Sequence, residues 1–301
     1  MTTTTVPATA PGHEEATEAT PSLARRTLRV FRHNKLALTG LLVLGLLCAF
    51  CYLGPLLFPT EQVHTDLSRA NLSPGTDGHL LGTTDLGYDM TGRLMVAGRT
   101  SLEVGLAAGL LATVFGTLYG AVAGYAGGWL DAVMMRITDA ALAIPAMFLL
   151  VVVAALTTPG KGTLILIIAS VAWLSPARLV RGEALVLRQR EYVQAMRMMG
   201  GGPGRAVFRH ILPGAIGTVL VNCTFQVADA ILYVSYLAFL GLSVPPPAAD
   251  WGSMLSAGIT YTQNGYWWLI IPPGLAIVLV VAAFNFIGDG LRDAFEVRLR
   301  P

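Results

Sequence analysis

The chain has 301 residues, 54% of them hydrophobic and only 13% charged, with a mean hydropathy of +0.61. That balance excludes a soluble globular domain and points to an all-α polytopic membrane protein. The formal net charge of +2 says little, while the placement of the charges carries the topology, and no nucleic-acid partner is expected.

Residues 1–22, rich in Thr, Ala, Pro and Glu, cannot bury a core and are expected to be disordered. They lack the charged start and apolar run of a signal peptide. Over residues 23–35, Arg25, Arg26, Arg29, Arg32 and Lys35 oppose Leu23, Leu28, Val30 and Phe31, the pattern of an amphipathic helix at the membrane interface. Residues 36–58 are apolar and long enough to cross a ~30 Å hydrocarbon core. Cys48 and Cys51 lie inside this run and Cys223 inside a later one, so no disulfide framework is indicated and the Cys48-x-x-Cys51 spacing reads as apolar filling.

Residues 59–100 read as an extracytoplasmic segment with a docking or structural role; its acids and glycines lack the spacing of a calcium loop. Residues 101–290 are expected to hold the membrane core, with spans near 103–125, 137–156, 164–180, 216–242 and 268–287, six in all with the first. Gly105, Gly109, Gly116, Gly120 and Gly124 recur at intervals that let two helix backbones approach closely in lipid. Residues 291–301 form a tail.

The longest polar interruption is the loop 188–213, and its centre predicts two short helices. The first runs from about Glu191 to Met199, with an acid in its first turn where the helix dipole favours it. Tyr192, Met196 and Met199 fall at i, i+4 and i+7 and are expected on one face, with Ala195 keeping that turn small. Gly200 to Gly202 and Pro203 stop it. A second helix from about Gly204 to Leu212 is expected to end at Pro213. The product is a helical knob with an apolar, methionine-bearing face outside the bilayer, suited to pressing into another protein.

Sixteen of the twenty Lys and Arg residues fall on one side when both termini are placed in the cytoplasm, leaving Arg69, Arg93, Arg99 and Lys161 outside. The positive-inside rule therefore puts the 188–213 loop in the cytoplasm. Within the spans, Asp139, Asn222, Gln226 and Asp229 are the polar candidates for a substrate path. The last three fall at i, i+4 and i+7 on one helix. A strip facing a water-filled pathway and plain interhelical hydrogen bonding both account for them, and both readings stay open.

Four stretches carry a resemblance. Glu191, Tyr192, Val193, Ala195, Arg197, Gly200 and the run Arg209 to Pro213 resemble the cytoplasmic "EAA" coupling loop of ABC-importer membrane permeases, in the form found in the dipeptide and oligopeptide transport family. Met196 stands for the usual second alanine and Gly214 for the usual asparagine. Gly82, Thr83, Asp85, Gly87 and Asp89 resemble the segment after the first span in that family's C-type subunit, although Tyr88 stands where arginine is usual. The stretch Phe239 to Gly258 is similar to the family's external segment, and Gly288 to Pro301 to its C-terminal pattern. The family commonly has an acid near Val234, which this chain lacks.

The resemblance implies a type I ABC importer permease fold in a prokaryotic plasma (inner) membrane. It implies a non-catalytic chain forming half a translocation pore for peptides. Its implied partners are a homologous second permease subunit, two cytosolic ATPase subunits or domains, an extracytoplasmic substrate-binding protein and membrane lipid. Glu191, Tyr192, Ala195, Met196, Met199 and Gly200 are the coupling residues it implies. No cofactor or metal is expected on this chain, ATP and Mg belonging to the ATPases; the sequence itself has no phosphate-binding G-x-x-x-x-G-K-[ST] and no zinc or nucleophile-elbow motif. Close relatives importing nickel, glutathione or haem remain alternative readings. A secondary transporter would call for inverted repeats or a charged relay, neither of them clear here.

Overall fold

A computed structural model describes residues 29–157 and 160–296, and among them every long element is a helix. The tail 1–22, residues 23–28, Arg298 and Arg300 lie outside the described residues; residues 29–33 are helical.

Helix α1 (Lys35–Leu57) matches the expected first span. Asn34 caps it, accepting from the Ala37 N–H at 3.1 Å and donating to Asp293 at 2.9 Å, which ties its start to the chain's end. Helix α2 (Met90–Ala126) is 37 residues long and starts well ahead of the expected residue 103, so residues 90–100 are helix and not extended loop. Asp89 starts it by accepting from the Gly92 N–H at 2.8 Å. The polar residues of its first turns hid this, because they are buried under other protein and not under lipid; Arg93 is a case in point. At about 1.5 Å per residue the helix spans roughly 55 Å.

The expected third span, 137–156, is broken. Helices α3 (Gly128–Leu142) and α4 (Ala146–Ala155) meet at 81°. Pro145 has no N–H to continue the ladder and holds Ile144 out of helical geometry, while the apolar run through Ala143 and Ile144 conceals the corner from hydropathy. Helices α5 (Lys161–Ala172) and α6 (Leu174–Leu187) bend by 43°. There Pro176 leaves the Ala172 carbonyl without its helical donor. Among the described residues, four helices are individually long and apolar enough to cross a membrane, and up to six when each bent pair counts as one span.

After the short α7 (Glu191–Met198) comes α8 (Pro203–Phe239). The expected separate helix ending at Pro213 is instead its first part. A widened turn over Val207–Ile211, in which the Leu212 N–H reaches back to the Val207 carbonyl, absorbs the proline without a break. Helices α9 (Trp251–Ile259) and α10 (Ile271–Glu296) complete the chain, so the expected tail from residue 291 opens as helix.

The bundle is built around α2, against which α6 and α8 pack most extensively. Its glycines are the reason. A Cβ at Gly116 would lie 2.5 Å from the Trp173 carbonyl oxygen, and one at Gly124 would lie 2.7 Å from that of Arg181. Gly120 faces the Ala177 carbonyl more closely still, and at Gly109 a Cβ would meet the Val227 backbone at 2.8 Å. The glycine series thus seats α6 and α8 on α2 backbone to backbone, the close approach expected of small residues in lipid.

At the end of the bundle opposite the loop, residues 58–89 and the segment around α9 form one cover. Trp251 is fully buried, its indole donating to the Leu94 carbonyl at 3.0 Å and its N–H to Ser101 at 3.1 Å. Arg93 reaches the Pro247 carbonyl at 2.8 Å, and the Trp268 indole donates to Thr83 at 3.2 Å. Asp250 caps α9 within a capping box. Burial pushes its carboxyl above the usual range, partly offset by donation from Ser243 and the Ser253 N–H.

Candidate functional site

The loop helix α7 ends as its glycines predict. The backbone of Gly200 is left-handed, φ +80°, and its N–H and that of Met199 bond to carbonyls of the last turn. Eight residues cannot hold a helix in water by propensity. Packing and side-chain ties against the bundle hold this one. Val193 and Met196 are buried in a cluster with Tyr125, Ala184, Ala206 and Ile211. Arg197 lies over the Tyr125 ring, 4.4 Å from its centroid, and donates to its hydroxyl at 3.2 Å. Arg188 donates to the Gly124 carbonyl at 3.2 Å. Both ties land on the last turn of α2.

One assignment changes. Met196 does not share a surface with Tyr192 and Met199; it belongs to the seat. The free face consists of Tyr192, Ala195, Met198 and Met199, with Met198 89% and Met199 82% exposed. Met198, which the i, i+4, i+7 pattern passed over, is thus part of the surface, and Gly201 is where it is because a Cβ would strike Met196. Two adjacent exposed methionines at the end of an eight-residue helix form an apolar tip that the described residues leave uncovered.

The seat is braced laterally. Arg181 forms a two-pronged ion pair with Asp131 at 2.9 and 2.7 Å, linking α6 to α3. Asp139 pairs with Arg178 on the same helices, which uses the acid that the sequence offered as a path candidate.

The three polar residues of α8 separate. Gln226 is buried and donates to the Ala172 carbonyl at 2.8 Å, the group that Pro176 orphans. It therefore serves packing. Asp229 is exposed on the bundle surface in the middle of a span, and Asn222 lines a cavity of about 720 Å³. The cavity lies between α6, α8, the start of α7 and the end of α10, and includes Glu183, Arg190, Tyr192 and Arg292. The Thr218 hydroxyl donates to Glu183 at 2.8 Å, and the Asn222 carbonyl oxygen is buried without a partner among the described residues. A smaller cavity of about 210 Å³, with Asp85 and Arg93 on its wall, lies under the cover at the opposite end. Among the described residues no cluster of three metal-ligating side chains occurs.

Comparison with known proteins gives two family matches. Residues 116–301 match the binding-protein-dependent transport system inner membrane component, and residues 22–74 match the N-terminal TM domain of oligopeptide transport permease C. The chain is 40% identical over 282 residues to the oligopeptide transport system permease protein OppC of Escherichia coli (strain K12), covering 93% of this chain and 92% of the relative. It is 36% identical over 287 residues to OppC of Bacillus subtilis (strain 168), with 95% and 93% covered. To the dipeptide transport system permease protein DppC of the same organism it is 38% identical over 272 residues, with 90% and 85% covered.

Proposed function

Because the chain belongs to the binding-protein-dependent transport system inner membrane component family, we propose that it works as the C-type permease subunit of an ATP-driven peptide importer, coupled to its ATPases through α7. The chain is a multi-pass inner-membrane peptide permease of the ABC-importer type. The observation that carries the mechanism is the construction of α7: an uncovered face of Tyr192, Ala195, Met198 and Met199 on a helix whose other side is tied to the last turn of α2.

A cytosolic ATPase that grips the tip and moves on closing its nucleotide sites would pull on α2, α6 and α8 together. The chain itself binds no nucleotide in this reading, ATP and Mg belonging to two ATPase subunits or domains. A homologous second permease covers the α8 face that carries Asp229, since a carboxylate in mid-span is costly against lipid and is expected to face partner or water. Asp229 and Asn222 then line the path on which peptide delivered by an extracytoplasmic binding protein crosses.

Two experiments test this. Reconstituted with its partners in lipid, the complex should take up di- and oligopeptides with ATP and leave nickel, haem and glutathione behind. Asp229→Leu should lower that uptake about tenfold while the subunits still copurify. Uptake of nickel in preference to peptide would overturn the cargo; unchanged uptake in Asp229→Leu would return Asp229 to packing.

Orientation has its own check. In a cysteine-free background, Thr76→Cys should react with an impermeant maleimide from outside intact cells, and Gly202→Cys only after the cells are opened. Labelling of both from outside would contradict a cytoplasmic α7.

A further inference from the structure

The cavity of about 720 Å³ has the volume of a small-ligand site and a two-signed wall. On the α6 and α8 side stand acceptors: the Glu183 carboxylate, oriented by the Thr218 hydroxyl at 2.8 Å, and the buried Asn222 carbonyl oxygen, which has no donor among the described residues. On the other side stand two guanidinium groups, Arg190 from the start of α7 and Arg292 from the end of α10. A buried amide oxygen without a donor costs free energy, which a ligand N–H removes on binding. An acid and an unpaired acceptor facing two arginines match a short molecule carrying an ammonium at one end and a carboxylate at the other.

We propose that this cavity is a cytoplasmic-side site for a zwitterionic di- or tripeptide, through which imported product restrains the coupling helix. The proposal rests on the peptide-importer reading and deepens it. Its regulatory part follows from position. Arg190 is the N-cap residue of α7 and Tyr192 is its second residue, and both line the cavity. A peptide held with its carboxylate on Arg190, in the positive field to which Arg292 adds, and its ammonium on Glu183 and Asn222 would fasten the first turn of α7 to α6 and α8. ATPase closure has to move that turn, so occupancy opposes the stroke. Accumulated peptide would then slow its own import.

The test uses the full complex in proteoliposomes with the ATPases facing outward and the lumen loaded with binding protein and dialanine. Dialanine added outside, on the cytoplasmic face, is expected to reduce stimulated ATP hydrolysis by about fivefold, a coupling of ordinary allosteric size. N-acetyl-dialanine amide, which lacks both charges, should leave hydrolysis unchanged. In Glu183→Gln and in Arg190→Gln, the dialanine concentration giving half-inhibition should rise about tenfold relative to each variant's own uninhibited rate, as loss of one charged contact predicts. Glu183→Gln keeps an acceptor for Thr218, so its fold is not at stake. Equal inhibition by the charged and capped peptides, or none by either while lumenal dialanine still stimulates hydrolysis, would overturn the site alone. No stimulation by lumenal dialanine would overturn the peptide reading and the site with it.

Discussion

A complex carrying Ala195→Asp should assemble normally, transport nothing, and hydrolyse ATP no faster with loaded binding protein than without it. Ala195 is exposed on α7 in this chain, so an aspartate there meets water until a partner covers it and the permease folds as before. Against an ATPase groove the carboxylate would be buried without a counter-charge, a loss on the order of 3–5 kcal/mol. That weakens the contact by about two to three and a half orders of magnitude. The neighbouring Val193, fully buried in the seat, provides the contrast. Val193→Asp should damage the permease itself and lower the yield of folded chain. Subunit content and stimulated ATP hydrolysis of the two purified complexes separate the outcomes. Near-normal stimulation in Ala195→Asp would mean that α7 is not the coupling element.

Gly120→Leu is expected to have the larger structural effect, leaving little folded permease to purify. The Cβ alone would collide with the Ala177 carbonyl, and the nearest atoms it meets, on Ala177 and Arg181, are all backbone. A flexible side chain could swing aside; two helix backbones can only separate. Overpacking of cores that do relax costs about 1–3 kcal/mol, and this site relaxes less. Parting α2 from α6 would also pull Gly116 and Gly124 off their carbonyl contacts. Gly182, on α6 but with nothing near its Cβ position, is the control. Gly182→Ala should cost no more than a few tenths of a kcal/mol. Yield and thermal midpoint of the detergent-purified chain measure both, and a normal midpoint for Gly120→Leu would refute close packing along this line.

Much of this was legible from the residues. Apolar length located the crossings, the glycine intervals announced close packing, and Gly200 marked the end of α7. The corner at Pro145 was not, because Ala143 and Ile144 are as apolar as their neighbours and hydropathy averages across a bend. Met196 was misplaced for a geometric reason. At about 100° per residue it lies roughly 40° from Tyr192 and 60° from Val193, so periodicity cannot decide which neighbour it joins. The packing beneath Tyr125 and Ala206 decides. Gln226 sits a similar angle away from Asn222 and Asp229, and its partner is a carbonyl orphaned by a proline fifty residues earlier in the chain. The sequence shows that Pro176 creates a need for a donor, but not which helix supplies it.

The corner between α3 and α4 takes on a meaning from the rigidity elsewhere. Helices whose backbones touch through glycines cannot slide past one another, because each ridge is locked against a carbonyl; α2, α6 and α8 therefore behave as a single beam. Load applied at one tip of a beam is delivered undiminished to the other, and all compliance must be found at the joints. At 81°, with two short arms and a proline at the elbow, residues 143–145 have the features of such a joint. The arm nearest the tip is clamped to the beam by Arg181 and Asp131, so it travels with the stroke while the far arm need not. The permease would thus have a fulcrum set beside its lever, with the aperture for cargo regulated by how far one elbow opens.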